Sequence, residues 1–384
     1  MIQSIFISLI FALSLKAFAK GEVEPTFGGE CTVTNDDIIE LDLGEWHDRE
    51  DLQRTYSEKI YFWRLVFQAK EKRFAALLDS PLTENDVRWK TDVAVLECNT
   101  APRPYLFYAQ NELEYESLIF SAAWEAGLRP DDFIGGGHIH IGTVFKDDPQ
   151  LLRDFTVDFM NNPALSMGIF HYNPLFALHI ADADPFRQLR FLQMIRRFDA
   201  DKAEGYLWSA RRFAEEFHGG DRPGQGVFED FVNPFAKSDV AEHHDLRNFA
   251  LNLRNFIGSS AGSLDTAEIR AILPQKNFHD FVLQIRLFRA RLKWLVENSN
   301  QQPRFVTGPR TLNESRAEFR RYVEECGLDW EEYKHFQHPD WARLPDRTMR
   351  KDPFELYKYT KKRKAALLRE YEDLAQQACE ALVI

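Results

Sequence analysis

Residues 135–142 read Gly-Gly-Gly-His-Ile-His-Ile-Gly, and this short run narrows the folds open to the chain more than any other. Small, polar and β-branched residues alternate there, the period of a strand and not of a helix. In a strand, His138 and His140 point to the same face of the sheet. Two imidazoles side by side on one wall can ligate a metal or touch phosphate. The glycines ahead of them leave room for a ligand to approach the backbone.

Other segments join this strand. Residues 25–34 (PTFGGECTVT) predict one strand, and residues 87–99 (VRWKTDVAVLECN) predict one or two. Residues 249–256 (FALNLRNF) and 264–273 (LDTAEIRAIL) are further strand candidates. Helical spacing runs from Asn111 to a stop at Gly127, then over residues 149–167, 187–197 and 206–217. The strongest amphipathic helix is Phe278–Glu297. Residues 217–226 (FHGGDRPGQG) predict a surface connection, with a lid as the alternative. Past residue 300 the chain is helical and charge-rich, and Trp330, Tyr333, Phe336 and Trp341 are expected to pack in a core or interface. This order predicts an α+β fold: a mostly antiparallel sheet backed by helices, with residues 20–300 as the main domain and 301–384 as a helical C-terminal extension.

Composition sets the surroundings. Of 384 residues, 44% are hydrophobic and 28% charged, a globular balance. Lys plus Arg number 48 against 60 Asp plus Glu, a net charge of -12, which repels bare nucleic acid and anionic lipid. No segment reaches the roughly 18 consecutive apolar residues of a membrane helix, so no transmembrane anchor is expected. Residues 1–19 read as a signal peptide: an apolar run from Ile5 to Leu15, then the small-x-small site Ala17-Phe18-Ala19. No Lys or Arg precedes that run. The expected location is therefore periplasmic or secreted, and cytoplasmic if the segment is instead a buried helix. Cys31 and Cys98 each follow a glutamate in a strand-like segment. If those strands are neighbours, the two thiols share a face and can pair; the alternative, for them and for Cys326 and Cys379, is buried free thiols.

Charged groups sit inside the short apolar strands: Glu30, Glu97, and Glu268 with Arg270 two residues on. Burying an unpaired carboxylate costs several kcal/mol, so each calls for a metal, an arginine or hydrogen bonds. Converging on one face with His138 and His140, these groups would hold divalent cations and a polyphosphate. Oxygen-rich ligation suits Mg²⁺ or Mn²⁺.

The order FGGE, LECNTAP, a helix closed by Gly, GGGHIHIG, a helix, then LNL and AEIR resembles the amidoligase branch of the glutamine synthetase and glutamate-cysteine ligase superfamily. The resemblance covers about residues 25–300. It implies a half-barrel cup of antiparallel strands, and an ATP- and metal-dependent joining of a carboxylate to an amine through an acyl-phosphate. It implies Glu30, Glu97, His138 and Glu268 as metal ligands. His140 and Arg270 would touch the nucleotide and the transferred phosphate, with Asn252 flanking the cup. Its substrates would be small-molecule or peptide carboxylates and amines, and an exported chain points to the cell envelope. The family's first strand carries a second acid where this chain has Thr32. ATP is scarce outside the cytoplasm, so export and ligation pull apart. Two other readings follow: a zinc hydrolase using His138, His140 and one of His171, His179, His243 or His244, and a binding protein that keeps the cup without turnover. No P-loop, dinucleotide fingerprint, CxxC pair or HExxH helix occurs.

Overall fold

The computed structural model describes residues 24–35, 38, 49–77, 79–92, 95–131, 135–165, 185–218, 250–257, 265–272, 274–306 and 312–336. The signal segment, most of the Gly/Pro-rich connection, Trp341 and Cys379 lie outside them. The strands are β1 (Thr26–Val33), β2 (Val87–Asp92), β3 (Val95–Thr100), β4 (Arg103–Pro104), β5 (Gly137–Gly142), β6 (Leu251–Asn252) and β7 (Ala267–Ile269). They form one seven-stranded sheet in the order β2-β3-β1-β5-β7-β6, with β4 also on β1. All of its pairings are antiparallel. The helices are α1 (Arg49–Ala76), α2 (Tyr105–Gln110), α3 (Glu112–Glu116), α4 (Ala122–Glu125), α5 (Pro149–Asn161), α6 (Pro185–Ala203), α7 (Ala210–His218), α8 (Phe278–Glu297), α9 (Leu312–Glu325) and α10 (Trp330–Tyr333). The α+β class and the helix-backed antiparallel sheet thus agree with the sequence reading. Among the described residues no helix is long and apolar enough to cross a membrane.

The period of two sorts the sheet into two faces. Phe27, Cys31, Val33, Leu96, Cys98, Ile139, Ile141, Ala267 and Ile269 are buried on one face. Helix α8 packs there: a Cβ on Gly29 would meet the Phe281 ring at 2.5 Å, so only glycine lets the helix come this close. Each large apolar side chain buried at this interface is worth roughly 1.5–3 kcal/mol. Cys31 and Cys98 stand opposite each other in the register, on neighbouring strands as the pairing reading required. They are nonetheless free thiols, both buried.

Helix ends follow local chemistry. Asp148 caps α5 by accepting from the Leu151 N–H at 2.8 Å, with Pro149 in the first turn. The helix ends at Asn161, short of residue 167, because Pro163 disfavours helical geometry in the residue before it. Asn277 caps α8 through the Asp280 N–H at 2.9 Å, and the Glu116 carboxylate takes the Phe278 N–H at 2.6 Å. Residues 249–256 do not run as one strand. The Asn252 side chain accepts from the Arg254 N–H at 3.0 Å and turns the chain into a 3₁₀ helix, Arg254–Phe256. The helix expected from Asn111 starts at Glu112 with Asn111 at its N-cap, separate from the preceding α2, and carries a π-helical turn at Ser117–Ser121 before Gly127 (φ 79°) stops it.

The part after residue 300 is tied to the rest by charge as well as by aromatic packing. Arg291 of α8 donates to Asp158 of α5 and to Glu325 of α9 at 2.8 Å. Tyr333 and Phe336 are buried, and Trp330 meets Phe319 edge-on at 5.5 Å.

Candidate functional site

The second face of the sheet carries the polar groups. The register sets Glu30 opposite His138 on one side and Asn99 on the other. One row along, His140 pairs with Glu268, and Glu268 with Asn252. Because neighbours in a register share a face, Glu30, His138, His140, Glu268 and Asn252 meet without any loop having to place them. Arg270, two residues past Glu268, bonds its own N–H to the Ala250 carbonyl at 2.9 Å and stays on this face.

Glu30 is the hub. His138 Nδ1 donates to its Oε2 at 2.8 Å, and His140 Nε2 to its Oε1 at 3.1 Å. His138 Nδ1 also lies 3.6 Å from Glu268 Oε1. Asn252 Nδ2 donates to Glu268 Oε2 at 2.7 Å, and Arg270 Nη1 donates to Glu268 Oε1. One ligand atom from each of Glu30, His140 and Glu268 lies within 4.8 Å of the other two, a spacing that suits a single cation. This compact group contains His140 where the sequence reading had placed His138; His138 stands beside it as a partner of Glu30.

Burial by itself raises the Glu30 pKa, but hydrogen bonds and charge from His138 and His140 outweigh it and hold the carboxyl well below the usual range. Burial lowers His140, yet Glu30 and Glu268 outweigh that and leave it raised. The raised pKa of His140 makes cation uptake at this ring compete with a proton.

Glu97 lies on the same face but one strand outward. It is buried, and its Oε1 takes Lys90 Nζ at 2.5 Å and Asn99 Nδ2 at 2.7 Å. Burial and the charge of Glu30 raise its pKa, against the pull of Lys90. Glu97 is therefore not brought into the three-residue group.

The glycines before the histidines make room. A Cβ on Gly135 would strike Thr32 Oγ1 at 2.2 Å, and one on Gly136 would sit 2.8 Å from His138 Nε2. Thr32 Oγ1 donates to the Gly136 carbonyl at 2.8 Å and accepts from its N–H at 2.9 Å. Thr32 thus anchors the strand that carries the histidines.

Sequence reasoning missed Thr266, Asn255 and Lys90. Thr266 Oγ1 lies 3.3 Å from His140 Nδ1 and accepts from Asn255 Nδ2 at 2.9 Å, which fixes the ring. The available signal was parity: Thr266 stands two residues before Glu268. His171, His179, His243 and His244, from which a zinc site would draw its third ligand, lie outside the described residues.

Two carboxylates and an imidazole fit Mn²⁺ and, with waters completing the shell, Mg²⁺. Arg270 adds a second sign of a ligand: its Nε is buried and has no hydrogen-bond partner among the described residues. An anionic oxygen beside the cation would satisfy it. Neither a family model nor any curated protein matches the chain.

Proposed function

We propose that the chain is an ATP- and divalent-cation-dependent ligase that joins a carboxylate to an amine, built on the cup of the glutamine synthetase and glutamate-cysteine ligase superfamily. The observation that carries this reading is the gathering of Glu30, His138, His140, Glu268, Arg270 and Asn252 on one sheet face. Glu30, His140 and Glu268 hold the cation, Mg²⁺ or Mn²⁺. When bound, that ion neutralises phosphate charge and orients the phosphate chain. Arg270 spends Nη1 on Glu268 and presents Nε to the phosphoryl group in transfer, where charge spreads over the equatorial oxygens. Asn252 holds the second oxygen of Glu268, so the ligand atom keeps its orientation. His138 keeps Glu30 ionised while His140 serves the cation.

The substrate carboxylate attacks the terminal phosphorus and the bond to the nucleoside diphosphate breaks. The amine then attacks the acyl carbon and phosphate leaves. Positioning and electrostatics supply most of such a rate. The substrates are small-molecule or peptide carboxylates and amines, and cell-envelope peptides if residues 1–19 direct export.

A thermal-shift panel on the full chain tests the reading, since a ligand bound only by the folded state raises the midpoint. ATP with Mn²⁺ or Mg²⁺ is expected to raise it above the ion alone. No shift with any nucleotide in the presence of either ion overturns the proposal. Stoichiometric zinc in the purified protein redirects it to hydrolysis.

A further inference from the structure

Glu97, Lys90 and Thr32 form one row across three strands, since the register pairs Lys90 with Glu97 and Glu97 with Thr32. This row lies beside the cation cluster on the same face, close enough for the Glu30 charge to act on Glu97. A divalent ion at Glu97 needs several oxygen ligands. The row does not provide them. Thr32 spends its hydroxyl on both polar groups of Gly136. Asn99 turns its amide N–H toward Glu97. The one carboxylate there already faces an ammonium at 2.5 Å.

Lys90 differs from its partner in access. Its side chain is 55% exposed, whereas that of Glu97 is 5% exposed. An ammonium has three donors, and Glu97 uses one of them. The side chain leans from β2 to Glu97 on β3, and Glu30 lies on the next strand, two residues (about 7 Å) along from the Glu97–Thr32 pair, near enough for its charge to act on Lys90. A phosphate chain bound at the Glu30 cluster and extending toward β2 comes within reach of Lys90.

We infer that Lys90 replaces a second metal ion: the protein takes one divalent cation, and the Lys90 ammonium, seated on Glu97, binds the outer phosphate of the polyphosphate that this cation holds. The inference rests on the phosphate-handling reading proposed above and adds the stoichiometry and the residue. It also gives Thr32 a reason, because a row whose cation is built in needs no second acid.

The test uses the full chain, with Mn²⁺ and inorganic pyrophosphate as probes. Equilibrium dialysis is expected to give one Mn²⁺ per chain for the wild type and for Lys90→Met. Calorimetric titration of pyrophosphate into the Mn²⁺-loaded protein is expected to show affinity reduced at least ~10-fold in Lys90→Met, the scale of one charge-assisted hydrogen bond. Lys90→Arg should keep most of it. The double variant Lys90→Met with Glu97→Gln removes the pair without leaving a buried carboxylate unpartnered, and it should show the same loss. Two Mn²⁺ per wild-type chain, or wild-type pyrophosphate affinity in both Lys90→Met variants, overturns the inference and leaves the proposed function standing. A wild type that binds no Mn²⁺, or binds Mn²⁺ but no pyrophosphate, overturns both.

Discussion

Two regions of this molecule bury charge, and they do it differently. In the layer of α5, α8 and α9, Arg291 donates to both Asp158 oxygens (2.9 and 2.5 Å) and to Glu325 (2.8 Å). Its guanidinium lies 3.9 Å from the Trp294 ring and 4.1 Å from that of Tyr322. Arg153 nearby donates to Asp199 at 3.1 and 2.6 Å, to Asp154 at 2.6 Å and to the Gln301 carbonyl. Asp154 in turn accepts the backbone N–H groups of Asn300 and Gln301 at 3.0 Å. The guanidinium nitrogens there are spent on protein acceptors. On the polar sheet face, by contrast, Arg270 Nε is buried without a partner among the described residues. Glu30 there is held by imidazoles, whose protons a metal can displace. Guanidinium groups whose every nitrogen has an acceptor specify how layers join; on the sheet face one guanidinium nitrogen is left for a ligand.

The largest effect is expected where saturation is broken. Asp158→Asn leaves Arg291 buried with Glu325 as its remaining carboxylate. The loss should be roughly 3–5 kcal/mol, the usual result of removing one partner of a buried pair. Urea unfolding measures it. Mn²⁺ affinity of the folded fraction should not change, because Asp158 has no part in the sheet face.

Glu30→Gln should do the reverse. It removes a cation ligand and leaves a neutral amide whose oxygen can still accept from a histidine, so no charge is left buried alone. Mn²⁺ affinity should fall at least roughly 100-fold, the upper end of the loss when an outer partner of a metal ligand is removed, while stability shifts by less than about 1 kcal/mol. Equal destabilisation by Glu30→Gln and Asp158→Asn would make the sheet face a structural network and end the contrast.

How much of this could be read from the chain follows the range of each signal. Parity within a strand is local, so His138 with His140, and Glu268 with Arg270, could be paired on a face without knowing the topology, whereas joining them to Glu30 takes the register of β1, β5 and β7. The pairing of Glu97 with Lys90 could not, because it depends on the register of the β2–β3 hairpin, and one residue of slip would reverse it. The choice of His140 over His138 depends on how Gly136 and Thr266 seat the two rings, which is a matter of tertiary contact. Helix α1 was missed altogether. Its buried stripe includes Lys59 and Lys70 beside Val66 and Ala69, and a lysine counts as exposed in any hydropathy pattern. The amines are in fact used: Lys59 Nζ donates to the Asp92 carbonyl at 2.5 Å and Lys70 Nζ to that of Glu84 at 3.5 Å. Snorkelling stems of this kind cover apolar surface while the head finds an acceptor.

The smallest effect concerns a third way to bury an ionisable group, which is to keep it neutral. His218 ends α7, and its Nε2 accepts the Leu253 N–H at 2.9 Å, pinning the strand end that carries Asn252. Burial, helped by the Arg254 charge, presses its pKa down to about 3. In the unfolded chain the ring takes up a proton near pH 6.5. A depressed folded-state value therefore stabilises the protein above that pH, and the contribution is lost as pH falls from about 6.5 toward 3. The loss approaches about 1.4 kcal/mol per pH unit in this window. Carboxylates titrate in part of the same range, so the slope of one protein does not identify the group. The difference between wild type and His218→Gln, whose amide oxygen can still accept from Leu253, isolates it. The variant should show a shallower decline of the urea midpoint between pH 6.5 and 4.5, by about one proton's worth. Parallel slopes would mean that the ring is charged in the folded protein, and burial next to Arg254 would then need another anion to explain it.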